Sequence, residues 1–284
     1  MSLPIWIKEE IENRRGISPL VHLLRKNRLH TVCEEAKCPN IGKCFKSGTA
    51  TFLILGNICT RNCRFCAINS GVPLPPDPDE PERVAITAEA LGLEYVVITS
   101  VTRDDLPDGG ASVFMETILK VRERIPDAGV EVLIPDFMGD MNALDKVLDA
   151  KPDVLNHNVE TVPSLYRSIR PLADYERSLR VLKYAKKRGF ITKSGIMVGL
   201  GESEREVEDV MKDLVSTGCD ILTIGQYLRP SLKHTPVVEY IPPEKFEEYR
   251  EMGLSLGIRY VVSGPLVRSS YMAKEAFKEV KHGG

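Results

Sequence analysis

Thr51-Phe52-Leu53-Ile54-Leu55-Gly56-Asn57-Ile58-Cys59-Thr60-Arg61-Asn62-Cys63-Arg64-Phe65-Cys66 reads as a short apolar strand running directly into a loop of three cysteines. The cysteines are separated by three and then two residues, so their thiolates fall within one tight loop. Three thiolates so spaced suit three corners of a cubane iron-sulfur cluster and leave its fourth iron without a protein ligand. An iron left open in this way binds a substrate or cofactor, whereas clusters that only carry electrons are normally capped by four cysteines. Structural zinc is the competing reading, although such sites usually take four protein ligands in paired two-residue spacings.

Beyond this loop, short apolar runs alternate with helical periodicity. The strands predicted are Thr51 to Gly56, Tyr95 to Val101, Val130 to Pro135, Val154 to Val159, Ile191 to Val198 and Ile221 to Leu228, with a seventh at Tyr260 to Val267. Phe114, Ile118, Val121 and Ile125 recur at helical intervals and form a stripe for a sheet to cover. Ser203-Glu204-Arg205-Glu206 is a capping box, and Gly218, Gly189 and Gly257 are placed to stop helices. Strands joined through helices make a parallel sheet, because a parallel pair needs a long crossover. Six such units are too few to close an eight-stranded barrel, so the predicted fold class is α/β, a partial (β/α)6 barrel. The predicted organisation is an N-terminal extension over residues 1–50, the barrel over 51–258 and a C-terminal extension over 259–284. Both extensions are expected to close the barrel mouth.

A chain of 284 residues that is 43% hydrophobic can bury a large core. Its net charge of -2 argues against a protein built to grip nucleic acid. No apolar run approaches the length of a membrane span, and the N-terminus turns acidic at Glu9-Glu10 before a signal-like segment develops, so a cytoplasmic location is expected. In a reducing compartment seven cysteines need a reason other than disulfides. Cys33, Cys38 and Cys44 form a second triplet just ahead of the first, with Pro39 and Gly42 supplying turns, and the pair of triplets points to a second cluster. Cys219, before an apolar strand, reads as a buried small hydrophobe. The segment from His22 to His30 is basic and reads as a helix, either a solvated face or a dock for an acidic partner.

Active sites of parallel barrels gather at the carboxyl ends of the strands. At the end of strand two, Asp104 and Asp105 either position a cofactor or serve local structure. Strand four ends in Asn156-His157-Asn158-Val159-Glu160, and alternation puts Asn158 and Glu160 on one face, where an amide and a carboxylate can bind a ribose diol. His157 faces the other way and reads as structural. Lys193, on strand five, either pairs with a cofactor carboxylate or reaches solvent. The glycines of Gly195-Ile196-Met197-Val198-Gly199-Leu200-Gly201-Glu202 let a nucleotide approach the backbone, and the backbone of Gln226-Tyr227-Leu228-Arg229-Pro230 at the end of strand six is expected to receive an adenine edge.

The cysteine loop ahead of an α/β chain resembles the radical S-adenosylmethionine superfamily, whose open iron chelates the amino and carboxylate groups of that cofactor. The N-terminal triplet together with Arg268-Ser269-Ser270-Tyr271 narrows the resemblance to the lipoyl synthase family, across residues 20 to 275. That resemblance implies two [4Fe-4S] clusters, one on Cys59, Cys63 and Cys66 and an auxiliary one on Cys33, Cys38, Cys44 and Ser270. It implies S-adenosyl-L-methionine as cofactor, with Asn158, Glu160 and Lys193 among its contacts, and Ser270 as a catalytic residue. The implied reaction inserts two sulfurs at C6 and C8 of a protein-bound octanoyl-lysine. The implied partners are an octanoylated lipoyl carrier domain and an electron donor such as ferredoxin or flavodoxin. Biotin synthase, which shares the Asn-x-Asp/Glu pair but lacks the N-terminal triplet and the serine motif, is the alternative.

Overall fold

The computed structural model describes residues 3–11, 24, 26–35, 38, 40 and 51–282, the side chains of residues 9–11 and 33 excepted. It divides into two compact units, one formed by Ile11–Asn62 and Ala67–Asp153, the other by Met1–Glu10, Cys63–Cys66 and Val154–Gly284.

In the first unit, β1 (His30–Thr31) pairs antiparallel with β2 (Thr51–Ile54). A separate two-stranded parallel ladder joins β3 (Ile58–Cys59) to β4 (Asn69–Ser70). β2 then pairs in parallel with β5 (Tyr95–Ser100), and β5 with β6 (Gly129–Leu133). Helices Glu80–Ala90, Ala111–Arg124 and Met141–Asp149 follow β4, β5 and β6. The predicted stripe is seen in Phe114, Ile118 and Val121, all fully buried, while Ile125 is the residue that ends its helix. Ile5–Ile11 forms a short helix, all of it but the last residue in the other unit. His30 lies in a strand rather than in the predicted helix, because its backbone pairs with Leu53; much of the basic segment before it lies outside the described residues.

In the second unit four strands run parallel: β7 (Val154–Asn156), β8 (Ile191–Val198), β9 (Ile221–Gln226) and β10 (Tyr260–Gly264). All seven predicted strands are present, most ending one to three residues early. Helix Glu204–Thr217 starts with the predicted capping box, Ser203 and Glu206 satisfying each other's backbone N–H groups, and ends at left-handed Gly218. Its Val207, Val210, Met211 and Leu214 pack with Ile196, Val198, Leu222 and Ile224 of the strands. Deleting one such side chain, as in Leu214→Ala, costs roughly 2–5 kcal/mol. Cys219 belongs to this core, where burial pushes its thiol up to about 12, so it is the inert hydrophobe expected.

This packing fixes which way each strand residue faces. Ile196 and Val198 of β8 face the helices, so Lys193, Gly195 and Met197 face the opposite, inner side of the sheet. No helix of the described residues is long and apolar enough to cross a membrane.

Candidate functional site

In the first unit the cysteine loop leaves β2 through two consecutive left-handed residues, Leu55 (φ 67°) and Gly56 (φ 82°). That turn aims backbone N–H groups at the buried carboxylate of Glu80, which accepts from Leu55 N at 2.7 Å. Burial pushes the Glu80 carboxyl above its ordinary range, while the N–H groups of Leu55 and Gly56 pull it back. Thr60 donates to Thr102 O from both its backbone and its hydroxyl, each at 3.0 Å, which ties the loop to the end of β5.

Arg61, between the first two cysteines, turns its side chain inward and is 5% exposed. Its Nε and one terminal nitrogen grip Asp104 at 2.7 and 2.9 Å, and the same terminal nitrogen reaches Asp136 Oδ1 at 2.6 Å. Hydrogen bonds and charge from both carboxylates, set against burial, hold the guanidinium fully ionised. Arg61 N also donates to Cys59 Sγ at 3.4 Å. Asp105 is engaged in the same way by Arg103, through two bonds of 2.9 and 2.8 Å. The acidic pair at the end of strand two thus holds two arginines.

In the second unit Cys63–Cys66 is pinned from both sides. Arg64 N donates to Ile169 O at 2.8 Å, and Arg64 O accepts from Thr235 N at 3.0 Å. His234 Nε2 lies 2.9 Å from Cys66 O; a carbonyl only accepts, so Nε2 carries a proton, and Nδ1 is hydrogen-bonded to the Ser231 hydroxyl at 2.9 Å. Phe65 packs against Ile169, Leu200 and Tyr227. None of Cys38, Cys59, Cys63, Cys66 and Cys219 is in a disulfide.

Asn158 and Glu160 come together as predicted, with Asn158 Nδ2 donating to Glu160 Oε1 at 3.0 Å. Glu160 has a left-handed backbone (φ 67°), which folds its carboxylate back towards Asn158. Burial raises the Glu160 carboxyl above its ordinary value against the pull of Arg170, the Asn158 amide and Arg268. The second hydrogen of Asn158 Nδ2 goes to Ser269 Oγ at 2.5 Å, which brings the Arg-Ser-Ser-Tyr segment onto this pair. Ser270, the next residue, is half-buried. Gly225 makes room for that segment: a Cβ there would run into the main-chain carbonyl of Val267. Gly195 does the same for Asn158, whose Oδ1 would stand 2.9 Å from an added Cβ.

Lys193 is fully buried on the same inner face as Gly195, opposite Asn156 and Ile221. It sits one inward step below Gly195, deeper than the strand end. His157 is buried, and its backbone N–H donates to Lys193 O at 3.0 Å, a structural placement. Glu202 closes the Gly199–Gly201 turn by accepting from Gly199 N and Leu200 N at 2.5 and 2.9 Å. Tyr227 N is engaged by Val198 O at 2.8 Å, so it is not open to an adenine edge. Of the cysteines expected at an auxiliary cluster, Cys38 is half-buried, the side chain of Cys33 is not described, and Cys44 lies outside the described residues.

These residues fit the groups expected of them. Thiols outside disulfides, one receiving a backbone N–H, suit a cluster; a carboxylate that accepts beside an amide that donates suits a ribose diol. Arg61, His234, Glu80 and Ser269 escaped the sequence reading. Arg61, a lone cation between two cysteines of the loop, and Ser269, within the Arg268–Tyr271 motif, carried a signal.

Residues 53–214 match the model of the Radical SAM superfamily. Two solved structures share the fold: Streptococcus suis SuiB bound to S-adenosylmethionine (TM-score 0.57, 11% identity, 83% of this chain and 51% of that one) and methylornithine synthase, PylB (TM-score 0.51, 15% identity, 90% and 81%). The chain is thus a radical SAM enzyme with the partial-barrel α/β fold. It is 56% identical over 277 residues to a lipoyl synthase of Caldicellulosiruptor saccharolyticus, covering 97% of each chain, and 58% identical over 272 residues to one of Caldanaerobacter subterraneus, covering 95% of each. A lipoyl synthase of Rubrobacter xylanophilus is 53% identical over 282 residues, 99% of this chain and 88% of that one. The chain belongs to the lipoyl synthase family.

Proposed function

We propose that the enzyme inserts two sulfurs, at C6 and C8, into the octanoyl chain of an octanoyl-lysine on a lipoyl carrier domain. When bound, the clusters and S-adenosylmethionine supply a carbon-centred radical oxidant for unactivated C–H bonds and the sulfur that replaces hydrogen, chemistry no side-chain acid or base provides. Cys59, Cys63 and Cys66 hold three irons of the first cluster and leave the fourth for the cofactor. Arg61 and His234 fix the two ends of that loop by hydrogen bonds. Asn158 and Glu160 orient the ribose, and Lys193 supplies positive charge to the same face for the cofactor carboxylate.

Cys33, Cys38, Cys44 and Ser270 hold the auxiliary cluster. An alkoxide is a harder donor than a thiolate and mismatched to a soft iron-sulfur iron, so Ser270 marks the corner most easily released. The observation that carries this reading is the hydrogen bond from Asn158 to Ser269, which joins the cofactor pair to the segment bearing Ser270. Residues 1–50 and 259–284 are assigned to the auxiliary site and the closing of the mouth, and 51–258 to the radical-forming barrel. A ferredoxin or flavodoxin is the reductant assigned, and the cytoplasm the compartment.

The test is anaerobic incubation of reconstituted protein with reductant, S-adenosylmethionine and an octanoyl-lysine peptide. The expected product is heavier by two sulfurs. Cofactor cleavage with no sulfur gained by the peptide would refute the assignment.

A further inference from the structure

Asn158 has a limited set of hydrogen-bonding groups, and the structure accounts for each of them. One hydrogen of Nδ2 lies on Glu160 Oε1 at 3.0 Å and the other on Ser269 Oγ at 2.5 Å. Its Oδ1 is buried, without a hydrogen-bond partner, against the inner face of β8, where Gly195 leaves only enough room for it. A ribose hydroxyl reaching Asn158 from the open side therefore meets the amide nitrogen, both of whose hydrogens are engaged. The bond to Glu160 lies within the nucleoside pair itself, so the one the ribose must replace is the bond to Ser269.

Ser269 is not free to move alone. The main-chain carbonyl of Val267 is packed against Gly225, Arg268 donates from its guanidinium to that carbonyl at 2.6 Å, and Tyr271 N donates to Arg268 O at 2.8 Å. The segment is a tight turn, so displacing Ser269 is transmitted to Ser270 beside it.

We infer that Ser269 is a positioning residue that competes with the ribose of S-adenosylmethionine for the Asn158 amide, so that cofactor binding loosens the segment carrying Ser270. This deepens the reading above and rests on its assignment of Asn158 to the ribose and of Ser270 to the auxiliary cluster. Linkage makes the effect reciprocal: whatever Ser269 gains by holding Asn158, the cofactor must overcome. The arrangement keeps the oxygen-ligated corner fixed until the cofactor is seated.

Two measurements on the anaerobic holoenzyme test this, with S-adenosylmethionine as the probe. Calorimetric titration should show Ser269→Ala binding about 2- to 10-fold tighter than the native protein, the value of one uncontested hydrogen bond. Ser269→Thr keeps the hydroxyl and should return within about twofold of native. Unchanged or weaker binding by Ser269→Ala, the outcome of a merely structural role, overturns the inference. In the second measurement, loss of auxiliary-cluster iron to a chelator should accelerate when S-adenosylmethionine is added to the native protein, and should be insensitive to it in Ser269→Ala. A native rate indifferent to the cofactor also overturns it. Ser270→Ala separates the two levels: iron content and chelator rate identical to native would refute Ser270 as a ligand, while the affinity comparison at Ser269 would still stand.

Discussion

Arg61 and Asp104 meet as two parallel hydrogen bonds of 2.7 and 2.9 Å, joining the residue between the first two cluster cysteines to the loop after β5. A guanidinium fork on a carboxylate fixes both distance and orientation, which a single point contact does not. With Asp136 on the same nitrogen, the loop is registered against the ends of two parallel strands.

Arg61→Met removes the guanidinium that meets the carboxylate of Asp136, whose side chain is 1% exposed. Breaking a buried pair from one side costs roughly 3–5 kcal/mol, so the urea midpoint should fall and reconstitution should retain fewer irons at the first cluster. Arg61→Lys keeps the charge but not the fork and should lie between the two. A native midpoint and iron content in Arg61→Met would show the loop to be held otherwise.

Glu160 gives a pH signature. Its carboxyl is held above the ordinary value, first by burial, so its protonated form persists to a higher pH than in a free glutamate. The ionised form is the one that accepts from a ribose, so affinity for S-adenosylmethionine should rise with pH through that raised value. For the fold the sign is opposite: native protein binds more protons than unfolded chain in that window, so stability falls as pH rises through it. Glu160→Gln should therefore bind the cofactor about tenfold more weakly with a flat pH profile, yet unfold at slightly higher urea at pH 7. Titration calorimetry and urea melts from pH 5 to 8 read both effects.

Gly225 lies under the main-chain carbonyl of Val267, so an added methyl meets backbone that cannot swing aside. Gly225→Ala should displace the Arg-Ser-Ser-Tyr segment and destabilise the protein by about 1–3 kcal/mol. Its auxiliary iron should fall while the first cluster is retained, which spectroscopic quantification of the two clusters would reveal. Equal loss of both would point to general unfolding instead.

With Ser270 assigned to the auxiliary cluster as proposed, Ser270→Ala should still cleave S-adenosylmethionine to 5'-deoxyadenosine but lose most thiolation of the octanoyl peptide. Product mass spectrometry alongside nucleoside analysis separates the two outcomes. Full thiolation would make the serine incidental.

The alternation of strands and helices, the capping box at Ser203, the helix stop at Gly218, the buried thiol of Cys219 and the pairing of Asn158 with Glu160 were all legible along the chain. Each is written in short-range spacing, a period of two or 3.6 residues or a cap a few residues long, which sequence records directly. The arrangement of Arg61, His234 and Ser269 was not legible. Their partners lie far away in the chain, 43 residues from Arg61 to Asp104, 168 from His234 to Cys66 and 111 from Asn158 to Ser269. No local pattern encodes contacts at such separations; the packing of strands and the glycines that admit a second backbone bring these groups within hydrogen-bond reach. Sequence thus determined the local caps, strand alternation and the Asn158–Glu160 pair, and tertiary structure decided which distant groups hold them, because a buried polar group must find its partner wherever the fold delivers one.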